Sequence, residues 1–179
     1  MLKFYRLPLL ASLCVAALIL SACNPTYNWR EVRGPDAPYL IMLPGKAASA
    51  SRAVTLNGAQ LTMTMTASEV QGTTFAVGSA QLPDATQARA ALDAMKNIMV
   101  NNIGGTIRQE KRSGPADAPE EIAIEAVGTP GASARSKPRL LFARFIARDK
   151  RVYQVIVVGP EEATPREAVD TFLTSFKPA

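Results

Sequence analysis

The chain has 179 residues, with 20 Lys+Arg against 15 Asp+Glu, no histidine, two cysteines, 13 prolines and 11 glycines. At 47% hydrophobic and 20% charged it lies in the globular range, which excludes wholesale disorder and a collagen-like chain. The lack of histidine excludes histidine-held metals, Ser-His and Cys-His dyads, and the usual side-chain pH switch.

In chain order, the first element is an export signal. Lys3 and Arg6 precede an apolar run over residues 7–20 that is too short and wrongly flanked for a committed membrane span. Its end, Leu20-Ser21-Ala22-Cys23, resembles the lipobox of bacterial lipoproteins. The resemblance implies removal of residues 1–22 and a lipidated Cys23 as the new N-terminus. Cys14 would leave with the signal, so a cleaved chain keeps one cysteine and can form no internal disulfide. An ordinary secretory signal would leave that cysteine as a free thiol in an oxidising compartment, whereas acylation accounts for it. Two or three acyl chains suffice for stable anchoring. In a Gram-negative lipoprotein, Asn24 rather than aspartate after the cysteine implies the outer membrane, facing the periplasm; in a Gram-positive organism that inference lapses.

Residues 23–38, with Pro25, Gly34, Pro35 and Pro38, read as the acylated N-terminus and its tether. Fully extended, residues 24–38 would reach about 50 Å. Tyr27 and Trp29 in this stretch could sit among lipid headgroups. The preferred alternative has them folding back to cap the domain's own edge.

A single α+β domain is expected over residues 39–179. Strands are predicted at Tyr39–Leu43, 53–56, 60–66 and 73–82, with Asn57-Gly58 as a hairpin turn. Residues 60–66 alternate, placing Leu61, Met63 and Met65 on one face and Thr62, Thr64 and Thr66 on the other. Asp84 and Gln87 form the opening of a helix whose apolar stripe is Ala88, Ala91, Leu92, Met95, Ile98, Met99 and Ile103, ended by Gly104-Gly105. Strands follow at 106–111 (polar, near an edge), 121–127, 140–147 and 152–158, with loops at 113–119 and 128–138 and a tight turn at 148–151. The last of these strands is apolar at nearly every position and is expected at the centre of the sheet. Thr164-Pro165-Arg166-Glu167 reads as a capping box, opening a final helix that buries Val169, Phe172, Leu173 and Phe176. The short connections imply a mostly antiparallel sheet with two amphipathic helices packed on it.

Tyr153-Gln-Val-Ile-Val-Val-Gly159 followed by Phe172-Leu-Thr-Ser-Phe176-Lys177, together with Leu40-Ile-Met-Leu-Pro-Gly45 and a hairpin, resembles the PsbP-like family. The resemblance spans the mature domain in element order. It implies an α/β/α sandwich and a protein that binds or assembles other proteins, as the family's known members mostly do; the family also includes many bacterial envelope lipoproteins without assigned activity. No ligand residue carries over from it.

No residues are read as catalytic, cofactor-binding or metal-ligating. Met63, Met65, Met95 and Met99 fall on apolar stripes and read as core rather than as a thioether metal site. Glu120-Glu121 and Glu161-Glu162 lie beside prolines and read as solvated charge. No Gly-x-Ser-x-Gly elbow or phosphate loop occurs, and Val77-Gly78-Ser79-Ala80 sits in a strand. One asymmetry stands out. Residues 135–151 carry Arg135, Lys137, Arg139, Arg144, Arg148, Lys150 and Arg151 against Asp149 alone. Arg144, Arg148 and Arg151 are the candidate interaction surface for an envelope protein or anionic lipid; the alternative is a soluble sheet edge. Nucleic acid is not expected. The expected function is that of a non-catalytic binding or assembly accessory of the cell envelope, with a small-ligand carrier or a hydrolase as the alternatives.

Overall fold

The computed structural model describes residues 26–115, 120–131 and 137–178. The signal, Cys23 and Arg135 lie outside the described residues. The architecture is α+β, as expected: a seven-stranded antiparallel sheet carries a helix on one face and a helix with a small sheet on the other.

The strands are β1 (Arg30–Arg33), β2 (Tyr39–Leu43), β3 (Ala48–Leu56), β4 (Ala59–Val70), β5 (Thr73–Gln81), β6 (Gly105–Ser113), β7 (Glu121–Gly128), β8 (Arg139–Arg148), β9 (Arg151–Pro160) and β10 (Lys177–Pro178). The helices are α1 (Ala85–Asn102) and α2 (Arg166–Ser175). The large sheet runs β3-β4-β5-β9-β8-β7-β6, and β1-β2-β10 form the small one. Every pairing in the large sheet is antiparallel, and all but β5–β9 join strands adjacent in sequence. Two-residue turns close the β3–β4, β4–β5 and β8–β9 hairpins. Asn57-Gly58 and Gln71-Gly72 both take the positive φ that such turns require.

As the apolar run implies, β9 is the central strand, fourth of seven, and its alternate residues enter two cores. Val152 and Ile156 face α1 with Leu92, Met95 and Phe145. Tyr153, Val155 and Val157 face α2 and the small sheet with Tyr39, Ile41, Phe75 and Phe172. Both cores are needed to bury a strand that is apolar on each side.

Several elements depart from the sequence reading. Part of the expected tether is β1, paired with β2 from Arg30↔Leu43 to Arg33↔Leu40. Tyr27 and Trp29 stack with centroids 5.8 Å apart, and both stand edge-on to Phe75. The fold-back alternative for these aromatics is therefore the one observed. Strand β3 begins at Ala48 rather than residue 53. Ile98, expected on the buried stripe of α1, is 44% exposed, while Lys96 is buried beside Asp93 and Glu110. The start of α1 is as expected, with Asp84 accepting the Gln87 N–H at 2.8 Å. The capping box on α2 does not form, because Pro165 holds the cap position with no side-chain bond. Thr164 instead donates to the Pro160 carbonyl at 2.8 Å and meets Thr73 Oγ1 at 3.0 Å. Gly159 is required here, since a Cβ would stand 2.3 Å from Thr73 Oγ1 and 2.5 Å from Thr164 Oγ1.

Candidate interaction surface

The basic segment lies mostly on β8 and β9, which the pairing Arg148↔Arg151 joins at the Asp149-Lys150 turn. Arg144, Arg148 and Arg151 all project to the α2 side of the sheet, but they do not form a free cationic patch. Arg144 sits on β8 between buried Phe142 and Ile146. It donates from Nε to Glu121 Oε1 at 2.6 Å, from Nη2 to Glu121 Oε2 at 3.2 Å, and from Nη1 to the Leu173 carbonyl at 2.6 Å. It therefore clamps the last turn of α2 to β7, which is a structural task. Arg148 reaches Glu120 Oε2 at 3.3 Å, and Arg151 reaches the Asp36 carbonyl at 3.4 Å.

Lys137 and Arg139 are also engaged. Lys137 pairs with Glu162, which raises the lysine's pKa through that hydrogen bond. Arg139 donates to the carbonyls of Gly72 and Val158. Three of the four acids read as solvated charge, Glu120, Glu121 and Glu162, are thus the partners of the basic segment. The fourth, Glu161, pairs with Arg108 at 3.2 Å. Among the described cations of the segment, Lys137, Arg144 and Arg148 are paired with acids, so the charge excess seen along the sequence is partly offset in space.

A second ionic cluster ties α1 to edge strand β6. Arg112 bonds Asp93 at 2.6 Å and Glu110 at 2.6 Å, while Lys96 reaches Asp93 at 2.9 Å and Glu110 at 3.2 Å. The Arg112 hydrogen bond, with help from Lys96, holds the Asp93 carboxyl at about 2. Burial works to raise Glu110, but bonds from the same two cations outweigh it and leave it lowered. This cluster locks a helix onto a strand.

A groove of about 270 Å³ lies beside α2, where the helix leaves the outer strands uncovered. Phe142, Ala123 and Leu173 form its apolar floor, with Glu125, Arg166, Gln109 and Lys111 around it. Arg166 lies 4.6 Å above the Phe142 ring and bonds Glu125 Oε2 at 3.0 Å, so one cation is held by both a π-face and a carboxylate. Lys111 has no ion-pair partner among the described residues. Sequence reasoning missed this groove because its residues come from four elements. The nearest signal is the almost wholly polar β6 strand, which reads as lying near an edge.

Among the described residues no group of three or more Cys, Asp or Glu side chains could hold a metal. Met63 and Met95 are buried in the core beside α1, and Met65 accepts a hydrogen bond from Gln154 Nε2 at 3.2 Å. Gln154 and Met65 close over Gly78, where a Cβ would come within 2.5 Å of the Met65 sulfur. That residue serves packing in mid-strand. No helix among the described residues is long and apolar enough to cross a membrane.

No family model matches the chain. No curated protein matches it. Among solved structures it is similar to the apo structure of the immunity protein TplEi of T6SS from Pseudomonas aeruginosa, at 11% identity and a TM-score of 0.38, over 94% of this chain and 83% of that one. At that score the likeness says nothing of what this chain binds.

Proposed function

We propose that this chain is a lipid-anchored protein of the bacterial envelope that works by binding another envelope component rather than by catalysis. The observation that carries the anchoring is the order basic pair, apolar run, Leu20-Ser21-Ala22-Cys23. The structure adds that the domain begins almost at once after that motif, with Tyr27 and Trp29 packed on Phe75. The likeness to PsbP-like domains supports a binding role and rests on the residues quoted above.

The binding face is the groove beside α2 rather than the basic turn: Arg144 lines the groove but is committed to Glu121 and α2, while exposed Lys111 at its rim has no ion-pair partner among the described residues. Its volume, about 270 Å³, is just below the range of roughly 300–1,000 Å³ typical of small-ligand pockets. A small-ligand carrier is the second reading, favoured by the groove's position between sheet and helix. Photo-crosslinking residues placed at Gln109 and Lys111 of the full chain distinguish the two in cells. A discrete protein adduct supports the binding role, and purification with a stoichiometric small molecule and no adduct supports the carrier. The absence of both counts against the groove as a site.

A further inference from the structure

We infer that the domain stands upright on the bilayer that holds it, with the turns around Lys46 and Thr129 against the headgroups and the Asp149-Lys150 turn facing away. This rests on acylation of Cys23 and adds the orientation, which that acylation does not by itself dictate.

The first argument is chain length. Asn28 N–H donates to the Pro44 carbonyl at 3.0 Å, and Tyr27 and Trp29 are seated on Phe75. Four residue steps separate Cys23 from Tyr27, which at full extension span at most about 14 Å. The 50 Å tether expected from sequence is thus mostly consumed in β1 and the packing ahead of it. Wherever the anchor enters the bilayer, the ground around Tyr27 lies close to it.

The second is topology. Phe75 lies near the Gln71-Gly72 turn, and Leu43 leads into the loop carrying Lys46. At this same end β7 finishes at Gly128 and β8 starts at Arg139. The opposite end carries the Asn57-Gly58 and Asp149-Lys150 turns and the start of α1, where Leu82 N–H donates to the Lys150 carbonyl at 2.7 Å. The central strand β9 separates the ends with ten residues, a length of about 33 Å. That distance is several times the Debye length of about 8 Å in physiological salt. Arg148, Lys150 and Arg151 therefore contribute nothing to headgroup attraction in this pose.

The third is charge. The alternative pose lays the domain on α2, the other surface next to the anchor. Exposed Glu167 and Asp170 lie on the solvent side of α2, and Arg166 is turned away onto Glu125 and Phe142. An anionic leaflet repels that surface. At the proposed contact exposed Lys46 and exposed Glu69 each have no ion-pair partner among the described residues, and Arg139 adds a cation bonded only to carbonyls. Glu161 and Glu162 are each held by a cation, so this end is net positive where the α2 surface is negative.

The test uses the full-length acylated protein in vesicles of phosphatidylethanolamine and phosphatidylglycerol containing acceptor-labelled headgroups. With Cys23 blocked by lipid, single cysteines take a donor fluorophore selectively: Lys46→Cys and Thr129→Cys at the near end, Lys150→Cys and Gln60→Cys at the far end. Because transfer to a surface of acceptors falls steeply with height above it, the near positions should transfer at least threefold more efficiently than the far ones. Inserting ten Gly/Ser residues after Asn24 should erase the difference. Equal or reversed transfer in protein that floats with the vesicles overturns the orientation and leaves the anchor standing. Protein that does not float overturns the anchor, and the orientation with it.

Discussion

Replacing Arg144 separates a structural arginine from an interaction surface. In Arg144→Ala, Glu121 loses two charge-assisted bonds and the Leu173 carbonyl loses its donor. The pair is neither surface nor core, with side chains 25% and 24% exposed. Exposed ion pairs contribute about 0–1 kcal/mol, and breaking a fully buried pair costs about 3–5 kcal/mol. An intermediate cost of about 2 kcal/mol follows, in line with the ~1.5–3 kcal/mol of hydrogen bonds to charged groups. For a domain of about 150 residues that lowers the melting temperature by about 4–8 °C. Arg148→Ala and Arg151→Ala, whose bonds are 3.3 and 3.4 Å long, should each cost less than about 0.5 kcal/mol. The assay is urea and thermal unfolding of the unlipidated protein, with a double-mutant cycle between Arg144→Ala and Glu121→Ala. A coupling energy near zero, or an Arg144→Ala melt within 1 °C of wild type, would refute the clamp.

Phe172 is fully buried and edge-on to Phe75 at 5.4 Å, so Phe172→Ala should cost about 3–5 kcal/mol in urea unfolding; an unchanged midpoint would show that α2 does not close this core. Trp29→Ala should destabilise the protein measurably and uncouple Tyr27, seen as loss of protection of the β1–β2 amides in hydrogen exchange; intact protection would detach the N-terminal aromatics from the fold. The folded-state pKa of Asp93 is depressed from 3.8 to about 2, so the stability it supplies is present above about pH 4 and lost as pH falls toward 2. Asp93→Asn should therefore flatten the stability profile between pH 4 and 2, and an acid limb as steep as wild type would contradict the assignment.

What the sequence made visible followed periodicity. The run at residues 152–158 indicated a central strand because no other position buries both faces of a strand. Asn57-Gly58 and the Asp84 cap were legible because their local chemistry decides them without tertiary context. β3 was half hidden because Ala48-Ser-Ala-Ser51 offers no apolar alternation, and its residues are held by pairing with β4, including the Ser49–Thr66 and Ser51–Thr64 hydroxyl contacts at 2.8 Å. β1 was hidden behind Arg30, Glu31, Arg33 and nearby prolines, although the density of aromatics at Tyr27 and Trp29 signalled a segment worth burying. The basic segment was the hardest. Arg144 between Phe142 and Ile146 hinted at a partnered charge, but the partner was not local. Glu121 lies diagonal to Arg144 only because β7 and β8 pair with Ala123 opposite Arg144. Charge counted along a chain does not show the charges that neighbouring strands bring beside it.

The central claim is the lipid anchor, and intact-mass analysis of the protein purified from membranes tests it most directly. The account predicts a chain beginning at Cys23 and bearing a diacylglyceryl group, a mass that Cys23→Ser does not produce and that is replaced by uncleaved acylated precursor under globomycin. A mature chain beginning at any other residue without lipid, processed normally in the presence of the drug, would contradict it.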